Sequence, residues 1–453
     1  MASDRYADVC EFDDFIRSHA DVADLDVFIM DVNGSTVGKR LPMAEARRLF
    51  EKGATLCASA HMLDCRGRGH NPAGIGGSDG DPDAIARPIA GTLCRVPWAR
   101  LPTAQVTCSM QEPDSQAPPW FDPREILRGV IEECRAHGIR PHVACELEFY
   151  LIDPARSGQG QLQPAKLART GAPPEGTIHM SLELMEDSSD FLSAVFASAK
   201  EQSLPLTASV CEYGISQYEI NLRHQQDPLT AADHAVLLKR LVRGVARTRG
   251  IDATFMAKPF MDEPGSGLHV HVSLVDERGE NRFGTAGGER LMRSAIAGMQ
   301  GLMLDSMALF APNFNSYRRY TGPFVPMSAS WGRNNRGVAF RVPLSGSADA
   351  RIEHRVAGAD ACPHLVLAAI LSAILHGIRN ELDPGEPAVG RPPRIPDAQL
   401  AGGLLAALDR LEASALLARY LPQRYLQAYA QLKRGEHRAL FERILPRELD
   451  FYR

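Results

Sequence analysis

The sequence lacks an excess of either charge, and it lacks a long hydrophobic run. Among its 453 residues, 50 are Lys or Arg and 55 are Asp or Glu, which gives a formal net charge of −5. A charge this close to balance provides no bulk electrostatic affinity for nucleic acid or anionic lipid. The longest apolar stretch, Leu365 to Ile378, is too short to cross a bilayer. We therefore expect neither nucleic acid nor a membrane as a partner.

Paired cysteines and a phosphate-binding Walker loop are also missing. The nine cysteines are scattered between Cys10 and Cys362, and no Cys-x-x-Cys pair occurs. This pattern indicates neither a disulfide framework nor a structural zinc site, and it favours a reducing cytoplasm as the location. The glycines at 67–80 and at 265–267 are not followed by Gly-Lys-Ser or Gly-Lys-Thr. A P-loop fold is therefore not expected.

The sequence does have the composition of a globular protein, with 44% hydrophobic and 23% charged residues. Its length allows one or two large units. Asn33-Gly34 lies between two strand-like runs and predicts a hairpin at the start of the first domain. A proline-containing segment, 111–120, precedes Asp122-Pro123, which is a typical helix start. We place a boundary there, so the sequence predicts domains at 1–117 and 118–453.

The coarse reading of the second domain alternates strands and helices. In the first domain, the Gly- and Asp-rich segment 65–83 is expected to be a long loop. The predicted strands are 142–151, 218–222, 254–260, 268–274 and 337–343. The predicted helices are 231–249 and 289–309.

Carboxylates and histidines recur on these predicted strands. Glu146 and Glu148 alternate with apolar residues, so both emerge from one face, and His269 and His271 repeat this arrangement. Taken singly, a glutamate on a strand is usually on the solvent face. Glu212, Glu219 and Glu353 raise the number of such groups, and together they would repel one another unless cations held them. Oxygen ligands with one nitrogen suit Mg²⁺ or Mn²⁺ better than zinc.

Arginines are concentrated in three short segments, 315–319, 331–336 and 340–343. These arginines could simply lie on the surfaces of helices. The alternative is that their planar guanidinium groups bind phosphate or carboxylate. Because divalent ions beside arginines are typical of phosphoryl transfer, the second reading agrees with the carboxylate pattern.

Taken in order along the chain, these segments resemble the glutamine synthetase family. The matching blocks are the hairpin around Asn33-Gly34, Glu146-Leu147-Glu148-Phe149, Glu212 with Gln217-Tyr218-Glu219-Ile220-Asn221, Lys258-Pro259 with Gly265-Ser266-Gly267-Leu268-His269-Val270-His271-Val272-Ser273-Leu274, Asn315-Ser316-Tyr317-Arg318-Arg319, the arginines up to Arg341, and Arg351-Ile352-Glu353-His354-Arg355. Agreement of many blocks in register over almost the whole chain is far more specific than any one of them.

The resemblance implies an α+β fold with a small β-grasp N-terminal domain and a large catalytic domain of the glutamine synthetase type. In that family, antiparallel strands of the catalytic domain line a funnel-shaped site. The resemblance also implies a homo-oligomer, commonly a dodecamer of two stacked hexameric rings, in which the neighbour's N-terminal domain completes each site. The implied small molecules are L-glutamate, ATP and an amine, with two to three Mg²⁺ or Mn²⁺ ions per site.

The roles of individual residues are also carried over from the resemblance. The implied ligands of one metal are Glu148, Glu212 and Glu219, and those of the other are Glu146, His269 and Glu353. The implied nucleotide and phosphate contacts are His271, Ser273, Arg341 and Arg351. The implied glutamate contacts are Gly265, Arg319 and Arg355, with Arg336 at the transferred phosphoryl group. Asp64 occupies the place of the family's ammonium-side aspartate and would accept the proton of the amine; the alternative is an aspartate that caps a turn.

One segment departs from glutamine synthetases that use ammonium. Those enzymes carry a glutamate on a flap, whereas here 320–326 is one residue shorter and contains no acid, and Phe324 stands where the glutamate is expected. Losing this carboxylate should favour a nitrogen that carries carbon. Further segments, 80–98 and 330–333, resemble the γ-glutamylpolyamine synthetase branch, which serves amine catabolism. The sequence thus predicts an ATP-dependent ligase joining the γ-carboxyl of L-glutamate to a primary amine through a γ-glutamyl phosphate; the alternatives are an ordinary glutamine synthetase and a non-catalytic homologue.

Overall fold

The computed structural model describes residues 6–158, 160–176, 178–322, 324–392, 402–442 and 444. Its N-terminal part is built on a six-stranded sheet with the order β2-β1-β6-β4-β3, and β5 is paired to β6. The predicted hairpin is confirmed, because β1 and β2 pair antiparallel on either side of Asn33-Gly34. β1 also pairs parallel with β6. The strands are β1 (Asp24–Met30), β2 (Thr36–Pro42), β3 (Ala54–Cys57), β4 (Asp83–Pro88), β5 (Cys94–Arg95) and β6 (Thr103–Gln111).

The second part is built on a nine-stranded sheet. Seven of its strands follow the order β13-β14-β15-β12-β7-β10-β9, and the other two, β8 and β11, each pair with β7. The expectation of antiparallel strands holds for most pairs, but β13 and β14 are parallel, so the sheet is mixed. The strands are β7 (Arg140–Asp153), β8 (Gln163–Pro164), β9 (Leu206–Cys211), β10 (Gln217–Leu222), β11 (Asp252–Thr254), β12 (Leu268–Val275), β13 (Trp331–Arg333), β14 (Phe340–Val342) and β15 (Ile352–His354).

Helices pack against these sheets and form the core with them. They are α1 (Val9–Ser18), α2 (Met43–Lys52), α3 (Pro123–Ala136), α4 (Leu182–Asp187), α5 (Ser189–Glu201), α6 (Pro228–Arg247), α7 (Gly288–Leu302), α8 (Met307–Phe310), α9 (Ser316–Arg319), α10 (Pro363–Arg379), α11 (Gly403–Ala413) and α12 (Gln423–Leu440). As predicted, Asp122 caps α3, since its side chain accepts a hydrogen bond from the backbone N–H of Arg124. In the described part of the chain no helix combines the length and apolarity that a membrane span requires.

The apolar run seen in the sequence forms the central helix α10. Its residues from Pro363 to Leu375 are buried, and it packs against α3, α6 and α7. The crossing of α7 and α10 is close because two glycines face each other: a Cβ on Gly298 would lie 2.0 Å from the carbonyl oxygen of Ala373. This tight helical layer supports the back of the nine-stranded sheet and leaves its other face for polar groups.

Two element predictions are wrong in detail. The predicted strand 254–260 is a strand only up to Thr254, after which the chain runs in loops past Pro259. The predicted helix 289–309 is interrupted after Leu302 and resumes as the short α8. The predicted loop 65–83 is confirmed apart from one 3₁₀ turn at Pro72–Gly74. The boundary between 1–117 and 118–453 stays a prediction. All nine cysteines lie in the described ranges, and none forms a disulfide.

Candidate active site

The register of the nine-stranded sheet brings the predicted carboxylates and histidines to one face. Between β7 and β10, Glu148 lies opposite Glu219. Between β7 and β12, Glu146 lies opposite His269, and between β12 and β15 Glu353 lies opposite His271. Directly opposed side chains have Cβ atoms about 4.5–5.5 Å apart, so each pair can share a ligand. The alternation of buried and half-buried residues from Glu146 to Phe149 fits a strand with an apolar back and a polar front.

His269 lies at the centre of this group. Its Nδ1 atom is 3.6 Å from Glu146 Oε2, 3.8 Å from Glu219 Oε2 and 4.0 Å from Glu353 Oε1. These separations are too long for direct hydrogen bonds. Two overlapping groups have ligand atoms within 4.8 Å of one another, and His269 belongs to both: Glu146, His269 and Glu353, and Glu148, Glu219 and His269.

The donor set fits a hard divalent cation. Ligands about 2.1 Å from an octahedral ion are roughly 3 Å apart when adjacent and roughly 4 Å apart when opposite, which matches the separations around His269. Carboxylate oxygens with a single imidazole are typical of Mg²⁺ or Mn²⁺ sites rather than of zinc sites. The first of the two groups is the set that the resemblance implied for one metal, and the second contains two of the three residues implied for the other.

The carboxylates of the cluster differ in how far positive charge compensates their burial and mutual repulsion. Burial raises the pKa of Glu219 well above its usual range, and the charges of Glu146 and Glu148 raise it further. For Glu353, burial alone would raise the pKa, but Arg355, His271 and His269 together outweigh this effect and lower it to about 2. Arg341 donates to Glu353 Oε2 at 2.8 Å, and Arg355 donates to Oε1. Glu353 is therefore ionised and held by two arginines, whereas Glu219 accepts from the neutral side-chain amide of Asn221 at 3.1 Å.

His271 lies between the carboxylate cluster and a small cavity. Its Nε2 atom is 2.9 Å from Glu146 Oε1, and Arg351 Nε donates to its Nδ1 at 3.1 Å. Because a guanidinium can only donate, Nδ1 must accept, which places an imidazole proton on Nε2. Arg351 and Ser273 line a cavity of about 250 Å³ on the far side. The residues predicted for the nucleotide thus adjoin the predicted metal ligands.

The arginines divide into buried and exposed ones. Arg319 and Arg355 are buried, which excludes the reading of these two as surface arginines. Arg319 Nη1 donates to the carbonyl oxygen of Val356 at 2.7 Å. One of its hydrogen-bond donors is therefore used to hold the backbone three residues after Glu353. Gly265 packs against Arg319, since a Cβ there would lie 2.6 Å from Arg319 Cγ. Arg336, by contrast, is exposed.

Glu212 lies at the edge of the cluster rather than in either group of ligand atoms. Burial and the charge of Glu148 raise its pKa to about 7, so it is close enough to Glu148 to feel that charge. Its Oε2 atom is 3.6 Å from His179 Nδ1. The next residue, Tyr213, stacks on the His179 ring and on Phe324. The predicted flap residue Phe324 is therefore connected to the cluster through an aromatic contact.

Asp64 is separate from the cluster within one chain. Its Oδ1 accepts backbone N–H bonds from Arg66 and Arg68, both at 2.8 Å, and its Oδ2 is 2.8 Å from His70 Nε2. Across the described ranges, no hydrogen bond or ion pair joins Asp64 to a predicted metal ligand. This geometry is that of an aspartate capping a turn.

Three residues at the site were not singled out by the sequence. The backbone N–H of Gly267 donates to Glu148 Oε2 at 2.6 Å, and a Cβ on Gly267 would lie 2.7 Å from Arg319 Nη2 and 2.9 Å from His269 Nε2. The Gly-x-Gly before a polar strand was a signal for this close approach. His179 and Tyr213 had no comparable signal, because they lie on loops outside any alternating pattern.

Comparisons with known proteins agree with this geometry. The family model described as "Glutamine synthetase, catalytic domain" matches residues 121–452. Gamma-glutamylputrescine synthetase of Escherichia coli (strain K12) is 39% identical over 436 residues, which cover 95% of this chain and 91% of the relative. Glutamate–isopropylamine ligase of Pseudomonas sp is 35% identical over 370 residues, covering 79% of this chain and 78% of the relative.

A solved structure shares the fold over nearly the full length. It is titled as a GmaS/ADP complex, and it aligns with a TM-score of 0.79 at 25% sequence identity, covering 96% of this chain and 97% of that one. The family model spans well over half of the chain, and the E. coli relative is similar over almost all of it. The chain therefore belongs to the glutamine synthetase family.

Proposed function

We propose that the protein is an ATP-dependent ligase that joins the γ-carboxyl group of L-glutamate to a primary amine, producing ADP and phosphate through a γ-glutamyl phosphate. The observation that carries the proposal is the convergence of Glu146, Glu148, Glu219 and Glu353 around His269. Enzymes of the family use ATP and divalent metal ions, and the two relatives are named gamma-glutamylputrescine synthetase and glutamate–isopropylamine ligase. A role in polyamine or alkylamine catabolism follows from this chemistry.

The proposed metal sites use the residues that the sequence indicated. One site would be formed by Glu146, His269 and Glu353, and the other by Glu148 and Glu219 with Glu212 at its edge. Two to three Mg²⁺ or Mn²⁺ ions are the proposed occupants. Such ions, when bound, neutralise phosphate oxygens and polarise the bond to the transferred phosphoryl group.

The chain's own residues position the reactants. The proposed glutamate contacts are Arg319 and Arg355, with Gly265 giving the backbone room beside Arg319. In the first step the γ-carboxylate attacks the γ-phosphorus of ATP, and guanidinium groups stabilise the negative charge that develops. Arg341 and Arg351 are proposed to hold the phosphates, with Arg336 at the transferred group. His271 and Ser273 are proposed to contact the nucleotide from the side of the small cavity.

In the second step an amine nitrogen displaces phosphate from the acyl phosphate. The nitrogen must be uncharged to attack, so a nearby base must accept its proton. We propose Asp64 of a neighbouring subunit for this role, because within the described ranges Asp64 makes no hydrogen bond or ion pair with the cluster of its own chain. This role agrees with a homo-oligomeric ring, proposed as a dodecamer of two hexamers. The β-grasp description of residues 1–117 is part of the same proposal, and it is supported by the β1–β2 hairpin and the parallel β1–β6 pair.

The nearest rival is a glutamine synthetase that uses ammonium. What favours an alkyl amine is the flap: in the described part of 320–326 there is no acidic side chain, and Phe324 contributes an aromatic ring instead. A non-catalytic homologue is disfavoured by the cluster itself, because mutually repelling carboxylates destabilise a fold that has no use for them.

The proposal is tested by coupled phosphate-release assays with L-glutamate, ATP and Mg²⁺. The nitrogen donors should include ammonium, putrescine, spermidine, ethanolamine, isopropylamine and 2-phenylethylamine. We expect glutamate-dependent ADP formation that is faster with one or more of the carbon-bearing amines than with ammonium. A strong preference for ammonium would identify the rival activity, and no ATP consumption with any donor would contradict ligase activity altogether.

A further inference from the structure

An aromatic stack adjoins Glu212, whose Oε2 atom is 3.6 Å from Nδ1 of His179. The ring centroids of His179 and Tyr213 are 4.0 Å apart with an interplanar angle of 8°. Those of Tyr213 and Phe324 are 4.6 Å apart with an angle of 20°. The guanidinium carbon of Arg391 lies 5.7 Å from the centroid of the Phe324 ring. The stack therefore starts beside a proposed metal ligand and ends next to a positive charge.

The faces of the two exposed rings, Tyr213 and Phe324, are already occupied. Tyr213 has two nearly parallel neighbours, which must lie on opposite sides of its ring. Phe324 is covered by Tyr213 and approached by Arg391. A diamine substrate would carry a second ammonium group at the far end of its carbon chain. Such a group is bound either by a carboxylate or by an open aromatic face. At its Phe324 end the stack offers no open face, and the carboxylate at its His179 end, Glu212, is a proposed metal ligand. What remains are ring edges and apolar surface, since Tyr213 is 44% and Phe324 is 45% exposed.

A positive charge lies at the Phe324 end of the stack, where the guanidinium of Arg391 is placed over the ring. A second ammonium group placed along the stack would meet like charge, which is costly at a binding surface. An apolar carbon chain would meet no such cost. His179 is also flanked in sequence by Ile178 and Met180, whose apolar side chains are exposed.

We propose that the stack of His179, Tyr213 and Phe324 is the wall along which the amine's carbon chain lies, and that it selects monoamines with an apolar chain over diamines. This inference rests on the proposed function and narrows its substrate class. It would separate this chain from its relative named for putrescine, despite 39% identity.

The test compares putrescine with n-pentylamine, which have equal numbers of non-hydrogen atoms and differ in the terminal group. With the full-length enzyme, ATP, Mg²⁺ and L-glutamate, we expect kcat/KM for n-pentylamine to exceed that for putrescine by about tenfold or more. Equal values, or a preference for putrescine, would overturn the inference and leave the ligase proposal standing. Absence of ADP formation with both amines and with ammonium would overturn the ligase proposal and the inference with it.

Variants distinguish the effect of the Arg391 charge from the effect of the aromatic wall. Arg391→Gln should narrow the ratio of the two kcat/KM values by roughly threefold to tenfold, because a repelling charge is removed. The matched control is Arg290→Gln, an exposed arginine on α7 that pairs with Glu381, and it should leave the ratio unchanged. An unchanged ratio in Arg391→Gln, or an equal change in the control, would contradict the role of Arg391.

The ring of Tyr213 gives a second readout. Tyr213→Ala should raise KM for n-pentylamine by about tenfold while KM for glutamate stays within about twofold, and Tyr213→Phe should retain both values because the ring remains. If Tyr213→Ala raised both KM values equally, Tyr213 would only support the backbone at Glu212. That result would overturn its proposed contact with the amine.

Discussion

The carboxylate cluster and the aromatic stack are neighbouring parts of one site, but they are built differently. The cluster is carried by adjacent strands, where cross-strand register fixes which side chains face each other. The stack is carried by loop residues that follow or lie between regular elements, such as Tyr213 after β9. A reaction common to the family needs a fixed geometry, which strands provide. Substrate preference can change through loop residues, because the folded scaffold does not depend on their identity. This difference predicts that changes in the cluster abolish activity with every amine and that changes in the stack alter preference among amines.

The largest expected effect is in the cluster. Glu148→Gln removes a charged ligand but keeps an oxygen that can accept from the N–H of Gly267. We expect kcat to fall roughly a thousandfold with every amine, as expected when metal-assisted charge stabilisation is lost. Far-ultraviolet circular dichroism and size-exclusion chromatography should show unchanged folding and assembly. Retained activity with any amine would contradict the role of Glu148.

A smaller but still large effect is expected from the glycine beneath the cluster. In Gly267→Ala the new Cβ must displace Arg319 or His269, so we expect kcat/KM to fall about a hundredfold for all amines alike. The control is Gly301→Ala on α7, where a Cβ would meet no atom within 4 Å. That variant should keep full activity, and its free energy of unfolding should rise by up to about 1 kcal/mol. Equal activity in both variants would show that the close approach at Gly267 is unimportant.

A third prediction concerns the scaffold behind both regions. Buried His364 lies 2.8 Å from Asp233, which also accepts from Arg124. Burial alone would lower the pKa of His364, but its interactions with Asp233 and with Cys362 together raise it to about 9. This stabilisation is fully present below the unfolded pKa near 6.5 and is lost as pH rises through 9; it amounts to roughly 3 kcal/mol.

The measurement is the free energy of unfolding in denaturant between pH 6 and pH 10. His364→Gln should flatten the decline that the wild type shows between about pH 6.5 and pH 9. The same variant should leave the ranking of amines unchanged, because His364 contacts neither the cluster nor the stack in the described chain. An equally steep decline in the variant would assign the pH dependence to other groups.

The smallest expected effect is at the flap. Phe324→Glu introduces a carboxylate where ammonium-using enzymes of the family carry one, so turnover with ammonium relative to n-pentylamine should rise by about threefold to tenfold. The control, Leu101→Glu, places the same charge on an exposed apolar residue of the N-terminal part. If the ratio did not change in Phe324→Glu, the flap would not contribute to the choice of nitrogen donor.

The same contrast explains what the sequence could predict. Alternation placed Glu146 and Glu148 on one face, and the Asn33-Gly34 turn and the Asp122 cap gave correct local structure, because these are rules of short range. The strand predicted at 254–260 failed beyond Thr254, since an apolar run without alternation does not distinguish a strand from a buried loop. The contact of Tyr213 with His179 and Phe324 could not be predicted, because it joins three loops that only the folded chain brings together. The proposed contribution of Asp64 from a neighbouring subunit is likewise a matter of assembly, which the pattern of one chain does not contain.

The central claim is that the γ-carboxyl group of glutamate is phosphorylated at the carboxylate cluster before the amine attacks. The most direct measurement uses L-glutamate whose γ-carboxyl group carries a heavy isotope of oxygen, with ATP, Mg²⁺ and n-pentylamine. Mass spectrometry of the phosphate released should find one labelled oxygen in each molecule, because displacement of the acyl phosphate transfers a carboxyl oxygen to phosphorus. Phosphate released without label, in step with formation of the γ-glutamyl amide, would contradict the account.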